Sequence, residues 1–417
     1  MPVEFIGYVG NANGSETIRS TGQALDLNHI EALAKVQENG GFDRVLLAFN
    51  STSPESILVS QHVTSVTRTL NVMIAHRPGF TAPTVAARQL ATLDHISGGR
   101  VGVHIITGGN DVELAQDGDH LTKDERYART TEYLDIVRQE WTSKEPFDYD
   151  GQYYKVDKAF GSIKPVQPDG IPVYFGGASD AALQVAGKHA DIYALWGETH
   201  AQVKELVQRV REAAAPYGRS PRFSLSLRPI LAGTEEAAWA KANAILEKAR
   251  ALIDAGKVRD PNNQRFNQIG GRSPANEGSK RLLAAAAQGT VLDKRLWTGI
   301  AGLTGAQGNT TSLVGTPDQV AEAFLDYYDL GITTFLIRGS IRSRMPSITD
   351  VTSCRACVSS WRSGIRRPNM RRRQSRCRPS PLDSISTISR RWEMGNFTLD
   401  RRTLLRGAGA LGLAAPF

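Results

Sequence analysis

Several apolar runs in this 417-residue chain end on side chains that can move protons or bind anions. "LNVMIAH" closes on His76 with Arg77 behind it, and "RVGVHIIT" carries His104 and Thr107. "ADIYALW" ends at Trp196, two residues before Glu198, while "FSLSLRPILA" holds Arg228 inside an apolar stretch. An imidazole is the side chain best suited to proton transfer near neutral pH. An arginine among apolar residues needs an anionic partner or ligand, because a lone buried charge is costly. Each residue also has a plainer reading: His76 and His104 as satisfied core histidines, and Trp196 as a cap on the core.

Two further segments suit anions. "FGGASDAA" places Gly176, Gly177 and Ser179 at a strand-to-helix junction, where free N–H groups bind negative charge. "DERY" reads as a helix start, since Asp124 and Glu125 suit the positive end of the helix dipole. The same start presents Arg126 and Tyr127 to a phosphate. The three cysteines, Cys354, Cys357 and Cys377, lie together near the end. "CRAC" has the spacing of half a zinc site, but no second pair accompanies it, so no metal site is expected.

Eight β-branched or aromatic runs must position these residues. They start at Val3, Arg44, Leu70, Arg100, Ile171, Ala190, Phe223 and Thr333. Most are near-continuously apolar, as strands buried on both faces of a parallel sheet are. Helical patterns separate them; "PTVAARQLATLDHISGG", for example, opens on Pro83 and stops at Gly98 and Gly99. Eight such units predict an α/β fold, a (β/α)8 TIM barrel, whose active site sits at the carboxyl ends of the strands. A doubly wound sheet is the alternative, and the lack of G-x-G-x-x-G after the first strand counts against it. Between strands seven and eight, about residues 251–290, the chain turns polar and rich in Gly, Asn and Pro. That stretch reads as a mobile lid insertion over the mouth.

The net charge of +8 suggests nucleic acid, but it is misplaced for that reading. Residues 341–417 hold 16 Arg, no Lys and four acids, so the first 340 residues carry a net charge of −4. A run such as "RRPNMRRRQSRCR" can attract phosphates, yet it lacks any folded context. The start, "MPVEFIGYVGN", has neither a basic region nor a cleavage site, and no run of eighteen apolar residues suggests a membrane span. The expectation is a cytoplasmic enzyme with no nucleic-acid or membrane partner.

Taken together, "RPGFTAPTVAARQLATLDHISGGRVGVHIITGG", "DGDHLTKDERYARTTEYLDIVRQEW", "YFGGASDAA" and "YALWGE" resemble the bacterial luciferase-like flavin-dependent monooxygenases. The alkanesulfonate monooxygenase branch is the nearest. The resemblance runs from about Val3 to Gly339. It implies a barrel that binds FMN as FMNH2, supplied by a separate NAD(P)H:FMN reductase. O2 is the co-substrate: a peroxyflavin oxygenates the substrate, and the sulfonate branch then releases an aldehyde and sulfite. A homodimer or homotetramer is also implied.

Carried over by position, Tyr127 and Ser179 would hold the FMN phosphate with the amides of Gly176 and Gly177. His104, Thr107 and His76 would lie at the isoalloxazine ring. Trp196 would wall the substrate pocket, and Arg228 would stand where the branch uses a catalytic-site His. Departures surround that pocket. The branch has Asn at His104, a Cys at Ser53 and a His at Asn11, and Thr304 stands nearest the position of its glycine-segment Arg. An F420-dependent oxidoreductase on the same barrel is the alternative function.

After Gly339 the resemblance stops. Residues 341–417 lack helical periodicity and are rich in Arg and Ser, as an out-of-frame reading would be. One nucleotide restored after the Gly339 codon can yield "FDPLEDAVDYGRDLVPR", which has the look of the family's ending. The final "MGNFTLDRRTLLRGAGALGLAAPF" reads like the start of a neighbouring gene with a twin-arginine signal. A barrel without its last helix would expose apolar surface on its first and eighth strands.

Overall fold

A computed structural model describes residues 3–12, 23–255, 276–306 and 310–338. The strands are β1 (Glu4–Val9), β2 (Arg44–Leu47), β3 (Asn71–His76), β4 (Val101–Ile105), β5 (Phe147–Asp150), β6 (Lys155–Ala159) and β7 (Val173–Phe175). They continue with β8 (Ile192–Trp196), β9 (Arg222–Leu231), β10 (Val291–Leu292), β11 (Leu296–Trp297), β12 (Ser312–Gly315) and β13 (Ile332–Ile337). The helices are α1 (Leu27–Asn39), α2 (Ser56–Val66), α3 (Pro83–Ser97), α4 (Asp111–Leu114), α5 (Lys123–Thr142) and α6 (Asp180–His189). After these come α7 (His200–Ala214), α8 (Glu235–Asp254), α9 (Glu277–Gln288), α10 (Gly299–Thr304) and α11 (Pro317–Asp329).

Eight parallel strands close on themselves in the order β1, β2, β3, β4, β7, β8, β9, β13, and β13 pairs back to β1. This is the (β/α)8 barrel that the eight apolar runs predict. Local signals set the helix ends. Pro83 opens α3, and Gly98 closes it in the left-handed region at φ 69°. Thr122 and Glu125 form a reciprocal capping box that starts α5.

Strand alternation divides the strands into two faces. Ile6, Leu46, Met73, Tyr174, Ile192 and Leu336, one from each of six barrel strands, meet in the lumen. Their neighbours Val72, Ile74, Val101, Val103, Phe223 and Phe335 face the helices in the main core. Phe5 and Phe335 are both buried, and Phe324 of α11 packs edge-on against Phe335 at 5.0 Å between centroids. Among the described residues, therefore, these aromatic rings of the first and eighth strands are not the exposed surface expected from the sequence.

Two features lie outside the simple barrel. The antiparallel hairpin β5–β6 follows α5. The second half of β9 leaves the barrel to pair in parallel with β12, which pairs with β11, and β11 pairs in turn with β10. The interval between the seventh and eighth barrel strands is long, as expected, but its described ends are ordered. Residues 251–254 finish α8, and α9 occupies 277–288, where "KRLLAAAA" carries strong helix formers. Residues 256–275 of the expected lid and the whole of 341–417 lie outside the described residues.

Candidate active site

His104 occupies the lumen. It pairs in register with Ala75 on one side and Tyr174 on the other, and side chains of register partners share a face. Its Nδ1 is buried with no hydrogen-bond partner. Burial lowers its pKa to about 4, so the ring is neutral at pH 7. A buried nitrogen left unpaired costs free energy, so it marks a place where a ligand can complete the bonding. Trp196 and Ser226 are register partners at the end of the sixth and seventh strands, on the same lumen-facing side. Arg228, two residues past Ser226, is only 3% exposed.

A second centre sits at the N-terminus of α6. The Tyr127 hydroxyl hydrogen-bonds Ser179, and burial raises the phenol's pKa. Ser179 caps α6 by accepting from the Ala182 N–H at 3.4 Å. Gly177 takes φ +139°, and a Cβ there would lie 2.8 Å from the Ala182 Cβ and 3.1 Å from the Tyr127 hydroxyl. A Cβ on Gly176 would meet the Ala194 carbonyl at 2.8 Å. The two glycines thus keep a backbone cradle open beside two hydroxyls and a helix N-terminus, a donor set that suits a phosphate. Thr107, just past β4, meets Thr130 of α5 with 3.4 Å between hydroxyls. Arg126 is buried and paired with Asp111 at 2.7 Å rather than with the cradle's hydroxyls.

The structure separates His76 from His104. His76 shares its strand face with Val72 and Ile74, so its ring points outward, and its Nε2 meets the Tyr133 hydroxyl of α5 at 2.6 Å. Burial lowers its pKa to about 4. It is a satisfied histidine behind the mouth and not a neighbour of the lumen. Ser53 has its hydroxyl committed to a turn, donating to the Asn50 carbonyl and accepting from the Asn50 N–H, both at 2.9 Å. Asn11, just past β1, accepts through its carbonyl from the Asp26 N–H at 2.8 Å. Thr304 is buried at the end of α10 and donates to the Ile300 carbonyl at 2.8 Å.

Helix α9 lies across the mouth. A Cβ on Gly278 would be 3.0 Å from the Trp196 ring, and Asn276 approaches Gly109, in the loop after β4. One side chain ties this helix down: Arg281 reaches buried Glu198 at 2.8 Å and Glu205 at 3.0 Å. It also donates to the Gln202 carbonyl. Glu198 is therefore an anchor for the cover. A comparable tie joins the loops after β2, β3 and β4, where buried Arg77 meets Glu113 at 2.6 Å and Ser51 at 3.1 Å. Arg281 and Arg338 stand outside the residues singled out from the sequence. Arg338 directly follows the eighth strand, and its guanidinium sits 4.6 Å from the centroid of Tyr8. Its place at the carboxyl end of a barrel strand, like that of Arg228, was the available signal.

The carboxyl end of the barrel thus brings together an unpaired imidazole in the lumen, a glycine-lined helix N-terminus after the neighbouring fifth strand and a helical cover. Residues 4–334 match the model of the luciferase-like monooxygenases, and the chain belongs to that family. Solved structures share the fold. A long-chain alkane monooxygenase (LadA) is 19% identical with a TM-score of 0.66, covering 88% of this chain and 93% of its own. An EDTA monooxygenase (EmoA) from Chelativorans sp. BNC1 is 20% identical with a TM-score of 0.65, covering 88% and 95%. An F420-dependent secondary alcohol dehydrogenase is 17% identical with a TM-score of 0.59, covering 88% and 98%.

Proposed function

We propose that this protein is an FMNH2-dependent monooxygenase acting on a small anionic organosulfur compound, an alkanesulfonate or a close relative. The observation that carries the reading is the pairing of two centres on adjacent strands. One is the Tyr127–Ser179–Gly177 cradle, and the other is the unpaired Nδ1 of His104. A flavin mononucleotide has a phosphate at one end and a hydrogen-bonding ring at the other, and the residues present fit both.

In this reading Tyr127, Ser179 and the amides of Gly176 and Gly177 hold the phosphate, with Thr107 alongside. His104, neutral at pH 7, offers one hydrogen bond to the ring edge. When bound, the reduced flavin supplies the electrons that activate O2, so that one oxygen atom enters the substrate and the other leaves as water. Arg228 holds the anionic end of the substrate, while Trp196, Asn11 and Ser53 shape the pocket. Helix α9 excludes bulk water. His76 acts only through its contact with Tyr133. As the family resemblance implies, reduced FMN comes from a separate NAD(P)H:FMN reductase.

The test supplies FMNH2 and O2 to the purified chain with a panel of alkanesulfonates and sulfones, and measures sulfite and aldehyde. Release of both is expected. Turnover with reduced F420 alone would overturn the cofactor, and absence of sulfite across the panel would remove the sulfur substrate.

A further inference from the structure

Arg228, within the seventh barrel strand, and Arg338, the residue after the eighth, stand side by side. Leu227 pairs with Ile337, and the Arg338 N–H donates to the Leu227 carbonyl at 3.3 Å, so the next pair in register is Arg228 with Arg338. Alternation then fixes their side. Ser224 and Ser226, four and two residues before Arg228, oppose Thr334 and Leu336, four and two before Arg338. Leu336 fills the lumen, and Thr334 donates to Glu4 inside the barrel, so both arginines leave the sheet on the lumen side.

Two more residues extend this row. On the far side of β13, Ile6 pairs with Leu336, which carries the register on to Tyr8 opposite Arg338. The 4.6 Å cation–π contact between them confirms that placement and holds the Arg338 guanidinium at the rim. On the other edge of β9, Ser312 is the register partner of Arg228, and the Arg228 N–H donates to the Thr311 carbonyl at 3.2 Å. Ser312 is 1% exposed, and its hydroxyl has no hydrogen-bond partner. The hydroxyl of Thr310, two residues earlier, is likewise buried and unpaired. A buried hydroxyl without a partner costs free energy and points to a missing acceptor.

We infer that Ser312, Arg228 and Arg338 form a headgroup clamp for substrates whose charged end bears two negative charges, with Arg338 as the specificity-determining residue. Adjacent strands lie roughly 4.8 Å apart, so two guanidiniums in register offer parallel forks to two anionic groups on neighbouring atoms. Arginine suits this better than lysine because its planar fork bonds two oxygens at once. A single sulfonate can engage Arg228 alone. A sulfonate with a carboxylate on the adjacent carbon can engage both arginines, and the Ser312 hydroxyl can donate to a remaining oxygen.

This inference rests on the proposed use of the mouth for substrate, but its test does not need turnover. Calorimetry on the full-length protein at pH 8 compares 2-sulfooctanoate, octane-1-sulfonate and octan-1-ol, and a parallel fluorescence titration follows FMN. The dianion should bind at least tenfold tighter than the monosulfonate. Arg338→Gln should reduce that ratio to near one while changing monosulfonate affinity less than twofold, and Arg338→Lys should restore part of the ratio. An unchanged ratio in Arg338→Gln, no preference in the wild type, or equal binding of the alcohol would overturn the clamp. FMN binding without a dianion preference would sink this inference alone. A dianion preference without FMN binding would sink the flavin reading and leave the clamp standing.

Discussion

The two ends of the barrel treat buried polar groups in opposite ways. At the amino end, Glu4 accepts from Arg44 at 3.1 Å, and from the hydroxyls of Tyr174 and Thr334 at 3.4 Å each. Arg44 also donates to the Val72 carbonyl at 2.9 Å and lies over the Tyr174 ring. This end is closed by groups that answer one another. At the carboxyl end, the Nδ1 of His104 and the hydroxyls of Ser312 and Thr310 are buried without partners. A closed network stabilises, whereas an open one is a cost that ligand binding can offset. The difference shows which end holds the fold together and which end is built to receive something.

The sharpest way to break this contrast is to remove a partner at the closed end. Arg44→Met leaves Glu4 in the lumen without its cation, which should cost about 3–5 kcal/mol of stability. Urea unfolding should show that loss while FMN affinity of the folded protein stays unchanged. A loss of flavin binding without destabilisation would mean that the amino end is not merely structural. At the open end, Gly177→Val puts a branched side chain into the cradle at a positive φ. FMN affinity should fall about 100-fold, equivalent to about 3 kcal/mol, and the measurement is a fluorescence titration.

Acid probes the histidine behind the mouth. Burial holds His76 at about 4, and the unfolded chain returns it to the ordinary value of 6.5. The unfolded state therefore binds the proton first as pH falls. Stability is whole above pH 6.5 and declines towards pH 4, with about 3 kcal/mol at stake for a shift of this size. His76→Gln should lessen, without abolishing, the dependence of the urea midpoint across that window, because buried His104 and His189 are shifted in the same direction; an unchanged slope would contradict the burial. The smallest effect is expected at His104. His104→Phe removes an unpaired buried nitrogen, so thermal stability should hold or rise slightly. FMN affinity should drop about tenfold, which is 1.4 kcal/mol.

Much of the scaffold could be read from residue order because barrel strands buried on both faces are apolar throughout. The same property hid the orientation of side chains. "NVMIAH" shows no alternation, so nothing in it told whether His76 faces lumen or helices, and the structure turns it outward to Tyr133. The β5–β6 hairpin went unseen because its residues are largely polar and exposed. The pairs β10 and β11 are two residues each, too short for any period. Helix α9 was masked by the Gly- and Asn-rich stretch before it. The strand-to-helix junction at Gly176–Ser179 was legible because glycines followed by Ser suit a helix N-cap, and Ser179 caps α6. The Arg228–Arg338 row was not, because it depends on register between strands far apart in sequence.

The most direct test of the open end is an equilibrium titration of the purified protein with FMN, followed by flavin fluorescence, beside Gly177→Val and Arg44→Met. Saturable one-to-one binding that the cradle variant loses and the amino-end variant keeps is the predicted result. No binding of FMN by the wild type, or equal binding by the cradle variant, would contradict the assignment of the flavin to the mouth of this barrel.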